Sequence, residues 1–190
     1  TANWNAVVGA TGYELDVYEK VLGTSPNLVQ NSGFESGNLT SWTFESSMNE
    51  VISTTEAKSG TSSLYTSVIA TKNFKQAISV ENATEYVLKF SYFIDNTATG
   101  NGFRVWTTVG TDIKLPSTST FYNEKGSWVT VEHTFTTTGT SVELNFRLYN
   151  GVKIYFDDIQ INKSQSSSVL NYVSGFENMN VGNVTSKNIT

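Results

Sequence analysis

Short segments in which apolar and polar residues alternate fill the middle of the chain, roughly residues 27–163. A period of two places successive side chains on opposite faces of a strand. Turns containing Gly or Asn separate the segments, and no helical period of 3.6 persists beyond two turns. The pattern predicts an all-β domain, a two-sheet antiparallel β-sandwich of the jelly-roll type. The clearest predicted strands are Glu50–Thr55, Ser62–Val68, Phe74–Val80, Tyr86–Ile94, Phe103–Val109, Trp128–Phe135, Ser141–Leu148 and Lys153–Ile161.

Composition excludes several classes of function. The chain has 190 residues, a formal net charge of −5 and only 15% charged residues, which argues against the basic surface that a duplex nucleic acid requires. No uncharged apolar run approaches the roughly 20 residues of a membrane span, so no membrane partner is expected. Cysteine is absent, so an exported form would be stable without disulfides.

The two ends of the chain form a second predicted unit. Residues 1–23 alternate in two bursts around a Gly-containing turn, which predicts a hairpin, and residues 165–190 again resemble short strands. Because two strands are not a stable domain alone, we predict that these pieces belong together and flank a middle domain, residues 24–164. Trp4–Tyr18 resembles the second and third strands of a bacterial fibronectin type III domain, with the middle domain inserted in a connecting loop. The alternative is two linkers with strand character.

Five motifs in the middle domain occur in a recognisable order. They are Asn-Leu-Val-x-Asn-x-x-Phe-Glu-x-Gly-x-x-x-x-Trp at 27–42, Lys58–Leu64, Tyr86–Tyr92, Trp128 and Tyr-Phe-Asp-Asp-Ile at 155–159. Together they resemble the carbohydrate-binding modules of families 4, 9 and 22, over nearly all of residues 27–163. The resemblance implies a non-catalytic module of a secreted polysaccharide-degrading enzyme, with a structural calcium ion near the first and last strands.

The same resemblance implies the calcium ligands. Glu35 and Asp157 match the side-chain ligands of the family, and the backbone at Lys58 and Ser59 would supply carbonyl oxygens. Calcium prefers six to eight oxygen ligands from carboxylates and carbonyls, and adjacent acids such as Asp157 and Asp158 repel each other without compensation. In the alternative, the two aspartates cap surface turns and Glu35 pairs with Lys58.

Strand parity predicts a face that suits a sugar. The outward positions of three strands carry aromatic, amide and guanidinium groups, which can stack on the C–H face of a sugar ring and hydrogen-bond its hydroxyls. Two arginines also suit an acidic polysaccharide. The alternative is a structural role, since exposed aromatics pair across strands and arginine stems cover apolar surface. The candidate ligand-binding residues are Trp106, Arg104, Tyr149, Arg147, Asn145 and Phe93, whereas Trp42 and Trp128 are expected in the core and Tyr65 is left undecided.

Catalysis is not expected from this sequence. His133 is the only histidine, and its parity with Val131 and Phe135 favours a buried or edge position over a zinc ligand. Two acid pairs are conceivable as glycosidase pairs, but sequence gives no carboxylate separation. These pairs are Glu132 with Glu143, and Asp95 with Asp112.

The sequence therefore predicts a polysaccharide-binding module without catalytic activity. We expect a monomeric module within a larger, secreted or surface-exposed bacterial protein, where it targets an attached enzyme to its polysaccharide. The alternatives are a structural or adhesive spacer without a sugar site, a lyase or hydrolase on the same fold, and protein recognition through exposed sheet edges.

Overall fold

The computed structural model describes Gly9 and residues 25–100, 102–110, 113–115 and 125–164. The chain divides into two compact units, of which one is Thr24–Gln165 and the other combines Thr1–Gly23 with Ser166–Thr190. All secondary structure described below belongs to the first unit. The predicted fibronectin-like strands lie outside the described residues, so they remain a prediction. Within the described residues, no helix is long and apolar enough to span a bilayer.

The described residues form ten strands in two five-stranded antiparallel sheets, which confirms the predicted β-sandwich. The first sheet has the order β1-β4-β9-β6-β7 and the second the order β2-β3-β10-β5-β8. Each strand candidate of the sequence corresponds to one of them. The strands are β1 (Thr43–Phe44), β2 (Asn49–Ser53), β3 (Ser63–Ser67), β4 (Lys72–Ser79), β5 (Glu85–Ile94), β6 (Phe103–Thr107), β7 (Lys114–Leu115), β8 (Trp128–Thr136), β9 (Ser141–Leu148) and β10 (Lys153–Lys163).

Aromatic side chains dominate the core between the sheets. Phe74 on β4 and Phe146 on β9 stack with ring centroids 4.7 Å apart, and Phe156 on β10 packs edge-on against both. Trp42 contacts this cluster with its ring 6.1 Å from Phe146 and is only 7% exposed, which confirms its predicted core position. Phe90 completes the cluster from β5, 5.5 Å from Phe146. Burial of this apolar area is the main term that favours the sandwich.

The segment before β1 closes the sandwich against its last strand. The Leu28 amide donates to the Ile161 carbonyl at 2.9 Å, and the Ile159 amide donates to the Ser32 carbonyl at 3.0 Å. Between these contacts, Phe34 is fully buried with a φ of 58°. Residues 27–42 and residues 155–161 are about 115 residues apart in sequence. These hydrogen bonds bring them together, as the predicted calcium ligands Glu35 and Asp157 required.

An irregularity in β10 turns an acidic side chain inward at this closure. The register between β10 and β5 shifts between Asp157 and Gln160, and Asp158 has a φ of 51°. Such a bulge inserts an extra residue and re-aims the side chains beside it. Asp157 is consequently 0% exposed, while Ile159 still reaches the core.

Candidate functional site

The outer face of the first sheet brings together four of the predicted sugar-binding residues. The register places Trp106 on β6 directly opposite Asn145 on β9, and Arg104 opposite Arg147. Lys75 on β4 lies opposite Asn145 from the other side, so one row of side chains runs across the sheet from Trp106 through Asn145 to Lys75. Parity predicted the outward direction of all four side chains. The partial exposure of Arg104, Trp106 and Arg147 agrees with it, whereas Asn145 is buried beneath its neighbours on the same face.

An open groove of about 300 Å³ lies on this face. Nearly all its lining residues project from the outer positions of β1, β4, β6 and β9 or lie directly beside those strands. Arg104 and Tyr149 do not line it, although Tyr149 follows β9 with the same parity and remains half-buried. The lining residues are Thr43, Phe44, Glu45, Asn73, Lys75, Trp106, Thr108, Glu143, Asn145 and Arg147.

Trp106 and Arg147 form the aromatic and cationic part of the groove. The guanidinium carbon of Arg147 lies 4.7 Å from the centre of the Trp106 ring, a cation–π contact. The Arg147 Nε donates to the Asn73 Oδ1 at 3.2 Å, and the Asn73 amide nitrogen donates to a Glu45 carboxylate oxygen. The Trp106 Nε1 is buried without an acceptor in the described part of the chain. The indole and the guanidinium are thus held together on the outer face, with Asn73 fixing the orientation of Arg147.

Glu143 is held as an ionised acceptor at the other side of the groove. Lys75 Nζ donates to its Oε2 at 2.8 Å and Thr108 Oγ1 donates to its Oε1 at 2.6 Å. These two hydrogen bonds lower the pKa of Glu143 below its ordinary value. Asn145, 3% exposed, donates to the Glu143 carbonyl at 3.1 Å. The groove is therefore a polar array fixed before any ligand arrives.

Phe93 is not part of this surface, which corrects the prediction. It lies on β5 in the second sheet, and its outward side chain faces the opposite side of the sandwich. There it packs 5.7 Å from Tyr155 and 5.8 Å from Trp128, and Tyr155 packs 4.9 Å from Tyr65. Parity distinguishes inside from outside but does not say which sheet a strand joins.

Trp128 is also corrected, from the core to this outer aromatic row. It shares its parity with the exposed Thr130 and Glu132, and it is half-buried opposite Phe93. The alternation of Trp128, Thr130 and Glu132 with Val129 and Val131 was the signal that could have placed it. We call Tyr65, Tyr155, Phe93 and Trp128 the aromatic row of the second sheet. Cross-strand aromatic pairs of this kind stabilise a sheet by themselves.

The residues predicted as metal ligands lie together at the closure of the sandwich, but Lys58 and Ser59 turn their amides, and not the predicted carbonyls, toward Asp157. Asp157 Oδ2 accepts the Lys58 and Ser59 amides at 2.9 and 3.1 Å, and Oδ1 accepts the Asp158 amide at 2.7 Å. Burial raises the pKa of Asp157, although these backbone hydrogen bonds oppose the shift.

Glu35 occupies the neighbouring position and does not pair with Lys58. Its Oε1 accepts the Ser62 and Thr61 amides at 2.9 and 3.0 Å, and its Oε2 accepts the Thr61 hydroxyl at 2.9 Å. These bonds lower the pKa of Glu35, the Ser62 amide most of all. The alternative in which Glu35 pairs with Lys58 is therefore not the arrangement in the structure.

Gly33 lies beside the Asp157 carboxylate and the Glu35 side-chain stem. A Cβ atom at Gly33 would be 3.6 Å from Asp157 Oδ1 and 3.9 Å from Glu35 Cγ, so the glycine keeps a small space open there. The donor set consists of hard carboxylate oxygens, which fits calcium, although no group of three acids, histidines or cysteines occurs among the described residues. Asp157 Oδ1 and Glu35 Oε2 each accept one hydrogen bond, so each retains a lone pair for a cation.

Residues 26–154 match the protein family described as "Carbohydrate binding domain". The match covers more than half of the chain, including the whole first sheet with its groove and the second sheet except most of β10. The chain belongs to this family. No curated protein sequence matches the chain.

Solved carbohydrate-binding domains share the fold. The CBM22-1 xylan-binding domain of Xyn10C from Paenibacillus barcinonensis is 15% identical, with a TM-score of 0.56 over 77% of this chain and 100% of that one. A family 16 carbohydrate-binding module is 17% identical, with a TM-score of 0.56 over 71% and 99%. The module TmCBM61, in complex with β-1,4-galactotriose, is 16% identical, with a TM-score of 0.53 over 74% and 100%. At these identities the likeness shows the fold of the domain.

Of the two conceivable acid pairs, the fold separates Glu132 from Glu143, and the other pair includes a residue outside the described ranges. Glu132 faces outward from the second sheet, whereas Glu143 faces outward from the first, so the sandwich lies between them. Asp95 accepts hydrogen bonds from the Thr97 amide and hydroxyl, and these lower its pKa. Asp112, the other member of this conceivable glycosidase pair, lies outside the described residues. His133 is half-buried in β8, opposite Leu88.

Proposed function

We propose that the groove on the outer face of the first sheet binds an extended polysaccharide chain. The observation that carries the proposal is the Trp106–Arg147 pair beside the fixed array of Asn145, Glu143 and Lys75. A sugar chain has apolar C–H faces and a fringe of hydroxyls, and this groove offers an aromatic ring together with hydrogen-bonding groups in fixed positions.

The similar structures support a sugar as the ligand. One is named as a xylan-binding domain, one was determined with β-1,4-galactotriose, and the CBM22-1 and GH10 modules of Xyn10B from Clostridium thermocellum were determined together in complex with xylohexaose. An open groove leaves part of the ligand in water, so the net gain per sugar is modest after hydroxyl desolvation. We expect a single module to bind weakly.

The domain would act by targeting, without bond chemistry of its own. Attached to a secreted bacterial enzyme, it would hold the catalytic domain close to an insoluble or gel-like polysaccharide and raise its effective concentration there. The rival function is a structural or adhesive spacer that keeps the fold without a sugar site.

A glycan microarray of plant, algal and microbial polysaccharides tests the proposal on the whole chain. We expect binding to a related set of extended glycans, and no release of reducing ends or unsaturated products from them. A blank array would favour the spacer, and product release would show an enzyme.

We further propose that calcium stabilises the closure of the sandwich, with Glu35 and Asp157 holding it near Gly33. The carboxylate pair, the space kept by the glycine and the family resemblance support this. A bound cation would join the segment before β1 to the bulge of β10, and would act on stability alone.

Thermal unfolding with and without calcium tests this second proposal. A ligand at 100 times its Kd adds about 2.7 kcal/mol of stability, so the midpoint should rise by several degrees in millimolar calcium and fall with EDTA. Asp157→Asn should abolish the response, whereas Asp95→Asn, at a carboxylate elsewhere, should retain it. Identical melting of the calcium-loaded and EDTA-treated protein would contradict the proposal.

A further inference from the structure

Arg147 is oriented by two contacts that leave one side of its guanidinium unused. The ring of Trp106 lies against its face at 4.7 Å, and its Nε donates to Asn73. Neither Nη atom makes a hydrogen bond to any residue within the described part of the chain. A guanidinium fixed in this way presents two parallel N–H donors, the geometry that a carboxylate accepts bidentately.

The acidic side chains of the groove are engaged elsewhere. Glu143 is paired with Lys75 at 2.8 Å and accepts the Thr108 hydroxyl. Glu45 accepts the Asn73 amide, so a neutral amide stands between it and Arg147. Of the two cationic side chains that line the groove, Lys75 has a carboxylate partner, and Arg147 forms no ion pair with a described residue.

A second arginine lies beside Arg147 in the register of the first sheet. Arg104 lies directly opposite it on β6, so the two arginines of the chain stand side by side on one face. The protein as a whole carries a net charge of −5. A net negative protein repels anions in general, so an anionic ligand would bind where guanidinium groups face it directly.

We propose that Arg147 binds the carboxylate of an acidic sugar, so that the ligand of the groove is a uronate-containing polysaccharide. This inference rests on the proposed function and specifies its ligand class. The two Nη groups would donate to the two carboxylate oxygens bidentately while Trp106 supports the guanidinium face. Asn73 or Asn145 could hydrogen-bond a pair of neutral hydroxyls as well as Arg147 could, and neither carries a charge that must be desolvated.

Matched acidic and neutral glycans test the charge directly. The probes are polygalacturonate, alginate and glucuronoxylan oligosaccharides, each compared with its own carboxyl-reduced form by titration calorimetry on the whole chain. We expect at least one acidic form to bind 10-fold or more tightly than its reduced form at low salt, with the ratio narrowing as NaCl is raised. Equal binding of both forms, or binding confined to neutral glycans, would overturn the acidic-sugar proposal and leave the proposed function standing. A protein that binds no glycan at all would reject both.

Variants of Arg147 separate its charge from its shape. Arg147→Lys keeps the charge but loses the planar fork and the stacking, so affinity for the acidic form should fall about 10-fold or more. Arg147→Gln should abolish the preference for the acidic form, so that the ratio of the affinities for the acidic and the reduced form falls to about one. Lys89→Gln, a charge removed from the outer face of the second sheet, should leave both affinities unchanged. Melting temperatures of all three exclude misfolding, and an Arg147→Gln variant that keeps the acidic preference would refute the assignment.

Discussion

Replacing Phe146 by alanine is expected to lower the free energy of unfolding by about 3–5 kcal/mol. Phe146 is fully buried on β9 and touches four aromatic rings of the core, those of Trp42, Phe74, Phe90 and Phe156. The deletion removes the apolar area of a whole ring and leaves a cavity that both sheets line, and the rigid neighbours cannot collapse into it. Urea denaturation followed by tryptophan fluorescence measures the loss.

Phe44→Ala is the matched control for this variant. Phe44 stacks on Phe74 at 5.4 Å but is only half-buried, on the edge strand β1. The Phe44→Ala substitution should lower the free energy of unfolding by less than half as much as Phe146→Ala, because the site opens to water and leaves a smaller void. Equal losses for the two variants would mean that Phe146 is not at the centre of the core.

Replacing Trp106 by alanine is expected to reduce glycan affinity at least 10-fold, to the point where binding at ordinary concentrations is lost. The substitution removes the aromatic surface of the groove and the indole N–H that lacks an acceptor, and it frees Arg147 from its support. A tenfold loss corresponds to about 1.4 kcal/mol, within the range expected for one well-oriented aromatic contact and its neighbours. Affinity electrophoresis or calorimetry with the glycan found on the array measures it.

Trp128→Ala provides the matched control on the other sheet. Its ring belongs to the aromatic row of the second sheet, where it packs 5.8 Å from Phe93. We expect its glycan binding to remain normal and its stability to fall by about 1 kcal/mol, the loss of one cross-strand aromatic pair. The reverse result, with binding lost in Trp128→Ala and kept in Trp106→Ala, would move the sugar site to the second sheet.

The sequence predicted the fold and the direction of most side chains, because both follow from local alternation. In β6 and β9 the inward and outward sets are those that period two assigns, and Trp106, Asn145 and Arg147 therefore face outward as expected. The family resemblance likewise predicted that Asp157 lies close to Lys58 and Ser59, and the structure places them within hydrogen-bonding distance. The calcium ion itself stays a prediction.

What the sequence could not provide is long-range pairing. Phe93 faces outward as predicted. Because β5 belongs to the second sheet, however, Phe93 lies on the opposite side of the sandwich from Trp106. The placement of Arg104 opposite Arg147 depends on the register of β6 with β9, and alternation within one strand does not contain that register. Trp128 was misplaced for a different reason, since its large apolar side chain outweighed the parity of its exposed neighbours.

We propose that a bound glycan lies in the groove of the first sheet against Trp106. The indole N–H signals of the four tryptophans in a ¹⁵N-labelled protein, followed during titration with the bound glycan, test it most directly. We predict that the Trp106 signal shifts progressively while those of the buried Trp42 and of Trp128 stay in place. A shift of Trp128 with an unchanged Trp106, or saturable binding that moves neither, would contradict the account.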